Sequence, residues 1–207
     1  YSLEEMYGDN YGYRSGLNNS MVQHLQHKAN TLMRQFPLNA GDVVLDIGSN
    51  DATSLKTYPD TLKRIGMDPT GQKFIEFYED GIELIPDFFS AEGFRKVYPS
   101  LRPKLITSIA MFYDLESPIA FVSEIEQLLD EEGVWHFEQS YMPSMLRTNS
   151  YDTICQEHLE FYSFKVVKDM LERCNLKVLD VQMNAINGGS FAVTAAKKSA
   201  SFKPNFP

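Results

Sequence analysis

Three acids and a glycine stand close enough in the chain to build one binding loop. The stretch "LDIGSND" carries Asp46, Gly48, Ser49, Asn50 and Asp51. About twenty residues on comes another acid, Asp68, followed by Pro69, at the spacing of a ribose-binding carboxylate. Gly48 lets the backbone turn sharply and approach a ligand. Asp46 can accept hydrogen bonds or balance positive charge, and Asp68 is placed to accept both hydroxyls of a ribose. A dinucleotide would want glycines where Asn50 and Thr53 stand, and Asp46 and Asp51 would repel its pyrophosphate. The same acids suit the ammonium and sulfonium of S-adenosylmethionine, so the charge favours that cofactor. A plain strand-to-helix turn also carries one glycine, but it does not call for an acid on either side.

A second set lies in "YDTICQEHLEFYS", where Glu157 precedes His158. A carboxylate beside an imidazole can set its tautomer and raise its basicity near neutral pH. A lone histidine on an amphipathic stretch is more often satisfied by a backbone carbonyl and does no chemistry. Further candidates are Asp87, Phe88 and Phe89, expected to end the third strand. There a carboxylate could meet the exocyclic amine of an adenine and a phenyl ring its face, although both rings could equally be core. Ala110 and Tyr113, with Asp114, end the fourth strand in "IAMFYDLESP". That segment lacks the Asn/Asp-Pro-Pro-Tyr arrangement of enzymes that methylate amino groups of bases.

These residues need a sheet to present them. Short apolar runs alternate with amphipathic ones: "DVVLDIGSND", "KRIGMDP", "GIELIPDFF", "PKLITSIAMFYDL" and "VWHFEQSY" read as strands. The fourth is apolar almost throughout, as a strand covered on both faces should be. "NNSMVQHLQHKANTLMRQF" reads as a helix capped by Asn19 or Ser20. "SPIAFVSEIEQLLDEEG" reads as a helix from a Ser cap and first-turn Pro to Gly133. "FKVVKDMLERCN" follows the Ser163 cap, and "KVLDVQMN", "AINGG" and "SFAVTAAKK" form an antiparallel hairpin. Five strand-helix repeats and a hairpin predict an α/β, doubly wound, mostly parallel sheet with its last strand inserted antiparallel. The expected organisation is one domain over 1–197, with an N-terminal helical cover, and a linker or tail over 198–207.

The 207 residues can bury a sizeable core. A net charge of −9 argues against sequence-independent nucleic-acid binding. Two cysteines support neither a disulfide framework nor a cysteine zinc site, which fits a reducing cytoplasm. No apolar run has membrane-spanning length. The start at Tyr1 and the Pro-rich "SFKPNFP" read as the edges of a piece of a longer protein.

In order along the chain, "YGYRSGLN", "VLDIGSND", "FYDLESP", "FEQSYMPSML", "YDTICQEHLEFYS" and "NGGSF" together resemble the S-adenosylmethionine-dependent C-methyltransferases of nucleotide-linked keto-deoxysugars. The resemblance implies a Rossmann-like class I methyltransferase with a seven-stranded sheet. Its small-molecule substrate would be a nucleotide sugar; no metal, nucleic-acid or membrane partner is expected of this domain. Family members also carry an N-terminal zinc-binding cysteine cluster and a further C-terminal domain, which these residues do not include.

Methylating carbon requires loss of a proton alpha to a ketone and stabilisation of the enolate. The resemblance gives the base role to His158, supported by Glu157. It implies that Tyr13 and Tyr11 close over cofactor and substrate. Arg14 and Arg147 are the candidate phosphate partners, and Asn187 with Gly188 faces substrate. Cys155 and Gln156 replace the family's usual Tyr and His, and Ala52 stands where a Gly is common. Two alternatives differ in class: a small-molecule O-methyltransferase, and a non-catalytic S-adenosylmethionine-binding module of a larger protein.

Overall fold

Five consecutive apolar or strand-end residues bury the whole of β1 (Val43–Ile47), as expected of a strand with both faces covered. The computed structural model describes residues 6–7, 11–151 and 153–205, apart from the side chain of Asn187. It holds a seven-stranded sheet in the order β3-β2-β1-β4-β5-β7-β6. The strands are β2 (Lys63–Met67), β3 (Ile82–Ile85), β4 (Pro103–Ile109), β5 (Val134–Ser140), β6 (Leu176–Asn184) and β7 (Ser190–Lys197). β1, β2 and β3 pair in parallel. β7 runs antiparallel to both β5 and β6. The α/β sheet with an inserted antiparallel last strand is therefore the one expected. The chain forms two compact units, Tyr1–Ile106 and Thr107–Pro207.

In the first unit, α1 (Asn19–Gln35) buries Leu25, Ala29 and Leu32 along one stripe. Its cap is Asn18, one residue before the expected positions. The Asn18 backbone is extended, and its side-chain oxygen accepts from Ser20 N–H and Met21 N–H, satisfying amides the helix cannot. The expected repeat of strand and helix fails here. β1 leads to β2 through a 3-10 turn, Leu55–Thr57, and β2 to β3 through another over Gly71–Phe77. Asp51–Leu55 are taken up by the loop after β1, and Pro59 blocks a helix in what remains. α2 (Ala91–Val97) starts where the Ser90 hydroxyl accepts from Gly93 N–H at 3.0 Å.

The second unit packs a ring cluster against β5. Trp135 and Phe137 stack with centroids 4.1 Å apart, and Phe112 meets Phe137 at 5.3 Å and Tyr162 at 5.4 Å. Such pairs contribute about 0.5–1.5 kcal/mol each beyond area burial. α3 (Pro118–Leu128) stops short of the expected Gly133. Leu129 turns fully inward, and Asp130, Glu131 and Glu132 would place three negative charges on a helix C-terminus. α4 (Met142–Thr148) was not anticipated; Pro143 sits in its first turn and Asn149, left-handed, ends it. α5 (Phe164–Arg173) follows Ser163 as expected. Residues beyond Lys197 are tied back: Lys198 N–H donates to Asn175 O at 3.0 Å and Asn205 N–H to Leu179 O at 2.7 Å. Among the described residues, no helix is long and apolar enough to cross a membrane.

Candidate functional site

The loop after β1 curls because three of its residues are left-handed: Gly48 (φ 72°), Asn50 (φ 50°) and Ala52 (φ 59°). Such alternation turns backbone N–H groups toward one side. The acid at the end of β2 takes one of them. Asp68 Oδ2 accepts Asn50 N–H at 2.8 Å, while Oδ1 accepts Thr70 N–H and Thr70 Oγ1–H, both at 2.6 Å. Asp68 is 6% exposed, so these are shielded, charge-assisted bonds. Its position at a strand end suits a ribose, but its first structural role is to clamp the loop. Oδ2, with one donor, keeps a second acceptor direction. Pro69 is half-buried beside it.

Asp46 is buried on β1. The Ser49 hydroxyl lies 2.8 Å from Tyr78 Oη, and Tyr78 O–H donates to Asn50 O at 3.2 Å. Burial pushes the Tyr78 phenol far up, the Ser49 hydrogen bond partly opposes it, and the carboxylates of Asp68, Asp46 and Asp51 add to it. Tyr78 is thus a permanent donor in an acidic surrounding. Gly66 makes room for this arrangement, since a Cβ there would lie 2.4 Å from Ser49 Oγ.

The N-terminal "YRSG" is laid on the same loop. Ser15 N–H donates to Asn50 Oδ1 at 2.9 Å, Asn50 Nδ2 to Tyr13 O at 3.0 Å, and Gly16 N–H to Asp51 Oδ2 at 2.9 Å. Asp51 Oδ1 takes Thr53 Oγ1–H at 2.5 Å. Arg14, expected as a phosphate partner, holds this segment down: its Nε is 3.6 Å from Asp51 Oδ2 and its guanidinium 4.0 Å from the Phe77 centroid. Asp51 is likewise committed to the chain itself. Tyr13 leaves 46% of its surface exposed, and the Tyr11 carbonyl accepts from Lys73 Nζ at 2.8 Å. Asp87, Phe88 and Phe89 do not end β3, which stops at Ile85. They lie in the following loop, where Asp87 Oδ1 accepts Phe88 N–H at 2.7 Å and both rings are half-buried. Pro86 lacks the N–H a further ladder bond would need.

In the second unit, Ala110 is also left-handed, with φ 55°, and its N–H donates to Glu138 O at 2.8 Å. The Tyr113 carbonyl then accepts two amides from the distant histidine segment, Leu159 N–H and Glu160 N–H, each at 3.0 Å. This brings the His158 ring against Tyr113, with centroids 4.3 Å apart. His158 Nδ1 lies 2.6 Å from the Thr153 carbonyl. A carbonyl can only accept, so Nδ1 carries a proton, and in the neutral ring Nε2 then holds the lone pair of a base. The orienting group is therefore Thr153 and not the expected Glu157, which makes no hydrogen bond or ion pair among the described residues. Cys155 is exposed. Gly188 is left-handed, with φ 75°, while the Asn187 side chain lies outside the described residues. Arg147 is exposed beside Ser144, at 3.5 Å.

Several members had no signal along the chain. Thr153 acts through its carbonyl, which residue type does not reveal. Tyr78 stands ten residues after Asp68, a separation that carries no pattern and that only folding turns into a contact with Ser49.

The sequence pattern of a family described as "Methyltransferase domain" matches residues 21–181. The chain is 27% identical over 192 residues to C-methyltransferase NovU of Streptomyces niveus, covering 92% of this chain and 46% of that protein. It thus spans about half the length of that relative. Among solved structures, the fold is similar to a methyltransferase of Haloferax volcanii in complex with the activator Trm112, with TM-score 0.68, 15% identity and coverage of 88% and 94% of the two chains. It is also similar to magnesium protoporphyrin IX methyltransferase of Synechocystis PCC 6803 with bound SAH, with TM-score 0.62, 12% identity and coverage of 94% and 92%.

Proposed function

The chain belongs to the methyltransferase-domain family, and from that premise we propose that it methylates a carbon alpha to the ketone of a nucleotide-linked sugar. It is a methyltransferase, and its cofactor is S-adenosylmethionine, which supplies an activated methyl group when bound. The first unit's donor set fits that cofactor. Buried carboxylates at Asp46 and Asp68 suit a sulfonium, an ammonium and ribose hydroxyls, and the Gly48 turn admits the backbone close to a ligand. Asp51, Arg14 and Asn50 hold the Tyr13 segment over the loop.

The observation that carries the carbon reading is the His158 tautomer. With Nδ1–H on Thr153 O, Nε2 can remove a proton alpha to a ketone and hold it. The Thr153 carbonyl then stabilises the imidazolium formed. An oxygen nucleophile has less need of such a base, because a hydroxyl proton leaves at little cost during attack. The likeness to a C-methyltransferase over nearly the whole chain supports the same reading.

The test uses a thymidine-diphospho-4-keto-6-deoxyhexose in deuterium oxide. The parent protein should exchange the proton alpha to the ketone, and His158→Ala should stop exchange while S-adenosylmethionine affinity holds. Equal exchange in both proteins would remove His158 from the reaction. A carbon-13 methyl label appearing at an oxygen shift would assign the enzyme to O-methylation.

A further inference from the structure

The second unit buries a neutral polar pair with nothing to bond. Gln139 stands next to last on β5, at the carboxyl end of a strand, where open α/β sheets take ligands. It is 1% exposed, and neither Oε1 nor Nε2 has a hydrogen-bond partner. Tyr162 is 5% exposed and its hydroxyl is likewise unpartnered. The two share one side of the sheet. Side chains alternate along a strand, so Gln139 follows Trp135 and Phe137 on the face where Phe112 joins Phe137 to Tyr162. Tyr162 is held at that end by its own carbonyl, which accepts Met142 N–H at 3.0 Å.

A buried amide without partners is costly, and native proteins leave few. An apolar side chain would pack among these rings without that cost. Both atoms of the amide and the phenol are satisfied together if a small polar group enters. Its chemistry follows from the donors. The amide offers two N–H groups and one acceptor, and the phenol offers an O–H. Burial, then the Glu160 carboxylate, pushes the Tyr162 phenol up, so it stays protonated, and that same carboxylate disfavours an anion. A carbonyl oxygen flanked by a hydroxyl engages one amide N–H, the amide oxygen and the phenol O–H together.

We propose that Gln139 and Tyr162 form a subsite for a neutral hydroxyketone edge, with Gln139 Nε2 and Tyr162 Oη donating to the carbonyl oxygen and Gln139 Oε1 accepting from the adjacent hydroxyl. The assignment deepens the keto-sugar reading and rests on it for the identity of the substrate. Nothing in it depends on phosphate recognition.

Dihydroxyacetone, a neutral hydroxyketone, tests the subsite without the sugar. In protein labelled with nitrogen-15 glutamine, the side-chain amide signals assigned by Gln139→Leu should shift saturably with it and stay fixed with inorganic phosphate. Tyr162→Phe, which removes one atom, should weaken that shift. Absent shifts, or equal shifts with phosphate, overturn the proposal. In turnover of the keto-sugar, Gln139→Leu and Tyr162→Phe should each lower kcat/KM by roughly 10- to 100-fold, the loss of one or two hydrogen bonds. Their melting temperatures should not fall, because no internal bond is lost. A lower melting temperature with unchanged kcat/KM would make the pair structural and overturn the proposal. If the parent does not turn the keto-sugar over, the functional reading fails, and the dihydroxyacetone titration still decides the subsite.

Discussion

Replacing Asp68 by Asn separates clamping of the loop from holding of the cofactor. The carboxylate accepts three hydrogen bonds, from Asn50 N–H at 2.8 Å and from Thr70 N–H and Oγ1–H at 2.6 Å. An amide can keep its oxygen toward Thr70, whose two donors share one carboxylate oxygen. Its NH2 then faces Asn50 N–H, donor against donor, and that amide loses its acceptor. An unsatisfied buried donor costs about 1–3 kcal/mol. The Thr70 bonds lose their charge assistance, which costs up to about 1 kcal/mol more. Removing one of several neighbouring carboxylates returns part of this, since the acids around Tyr78 repel one another.

The expected net loss is about 2–3 kcal/mol, or a fall in Tm of roughly 4–12 °C for a chain of this size. Urea denaturation of the ligand-free protein measures it. Calorimetric titration with S-adenosylmethionine should show a further loss of at least about 10-fold in affinity, near 1.4 kcal/mol, for one impaired ribose contact. Ligand-free Asp68→Asn within about 0.5 kcal/mol of the parent, the range of a featureless surface change, would refute the clamp. Unchanged affinity would refute the ribose role.

Gly16→Ala should detach the N-terminal segment, because its Cβ would stand 2.5 Å from Asp51 Oδ2. Faster proteolysis ahead of α1 and roughly 10-fold weaker S-adenosylmethionine binding would be the signs, the latter about the worth of one charged hydrogen bond. Ala52→Gly relieves a left-handed alanine at φ 59°. Denaturation should show a gain below about 1 kcal/mol, because the strain of about 1–2 kcal/mol is offset by the lost buried methyl and by glycine's chain entropy. Glu157→Gln should change kcat by less than about 3-fold, the scale of a half-buried charge that makes no ion pair among the described residues. A loss of 100-fold would return to Glu157 the supporting role proposed for the Thr153 carbonyl, which lies 2.6 Å from His158 Nδ1.

Much of the fold was legible because its signals are local. Runs such as Val43–Ile47 are apolar enough by composition to read as strands covered on both faces, and Pro118 and Ser163 stand at the helix starts where their residue types are favoured. The helix expected after β1 was not legible as absent. Whether Asp51–Leu55 coil or wind depends on what Asp51 meets, and it meets Gly16 and Arg14 from the far end of the unit. The end of α3 was misplaced because Gly133 is the nominal stop, while burial of Leu129 ends the helix four residues sooner.

Residue types along the chain determined the chemistry on offer: acids around a glycine turn, a histidine, and strands to carry them. The tertiary structure decided which partner each group has. Asp68 reaches Asn50, Tyr113 receives the backbone around His158, and Nδ1 of that histidine finds a carbonyl in place of the adjacent carboxylate. Gln139 and Tyr162 look ordinary in sequence, and only burial without partners sets them apart. The reason is physical. A side chain's identity fixes which bonds it can make, but hydrogen bonds act over about 3 Å, and the groups that come that close are chosen by the folding of distant segments.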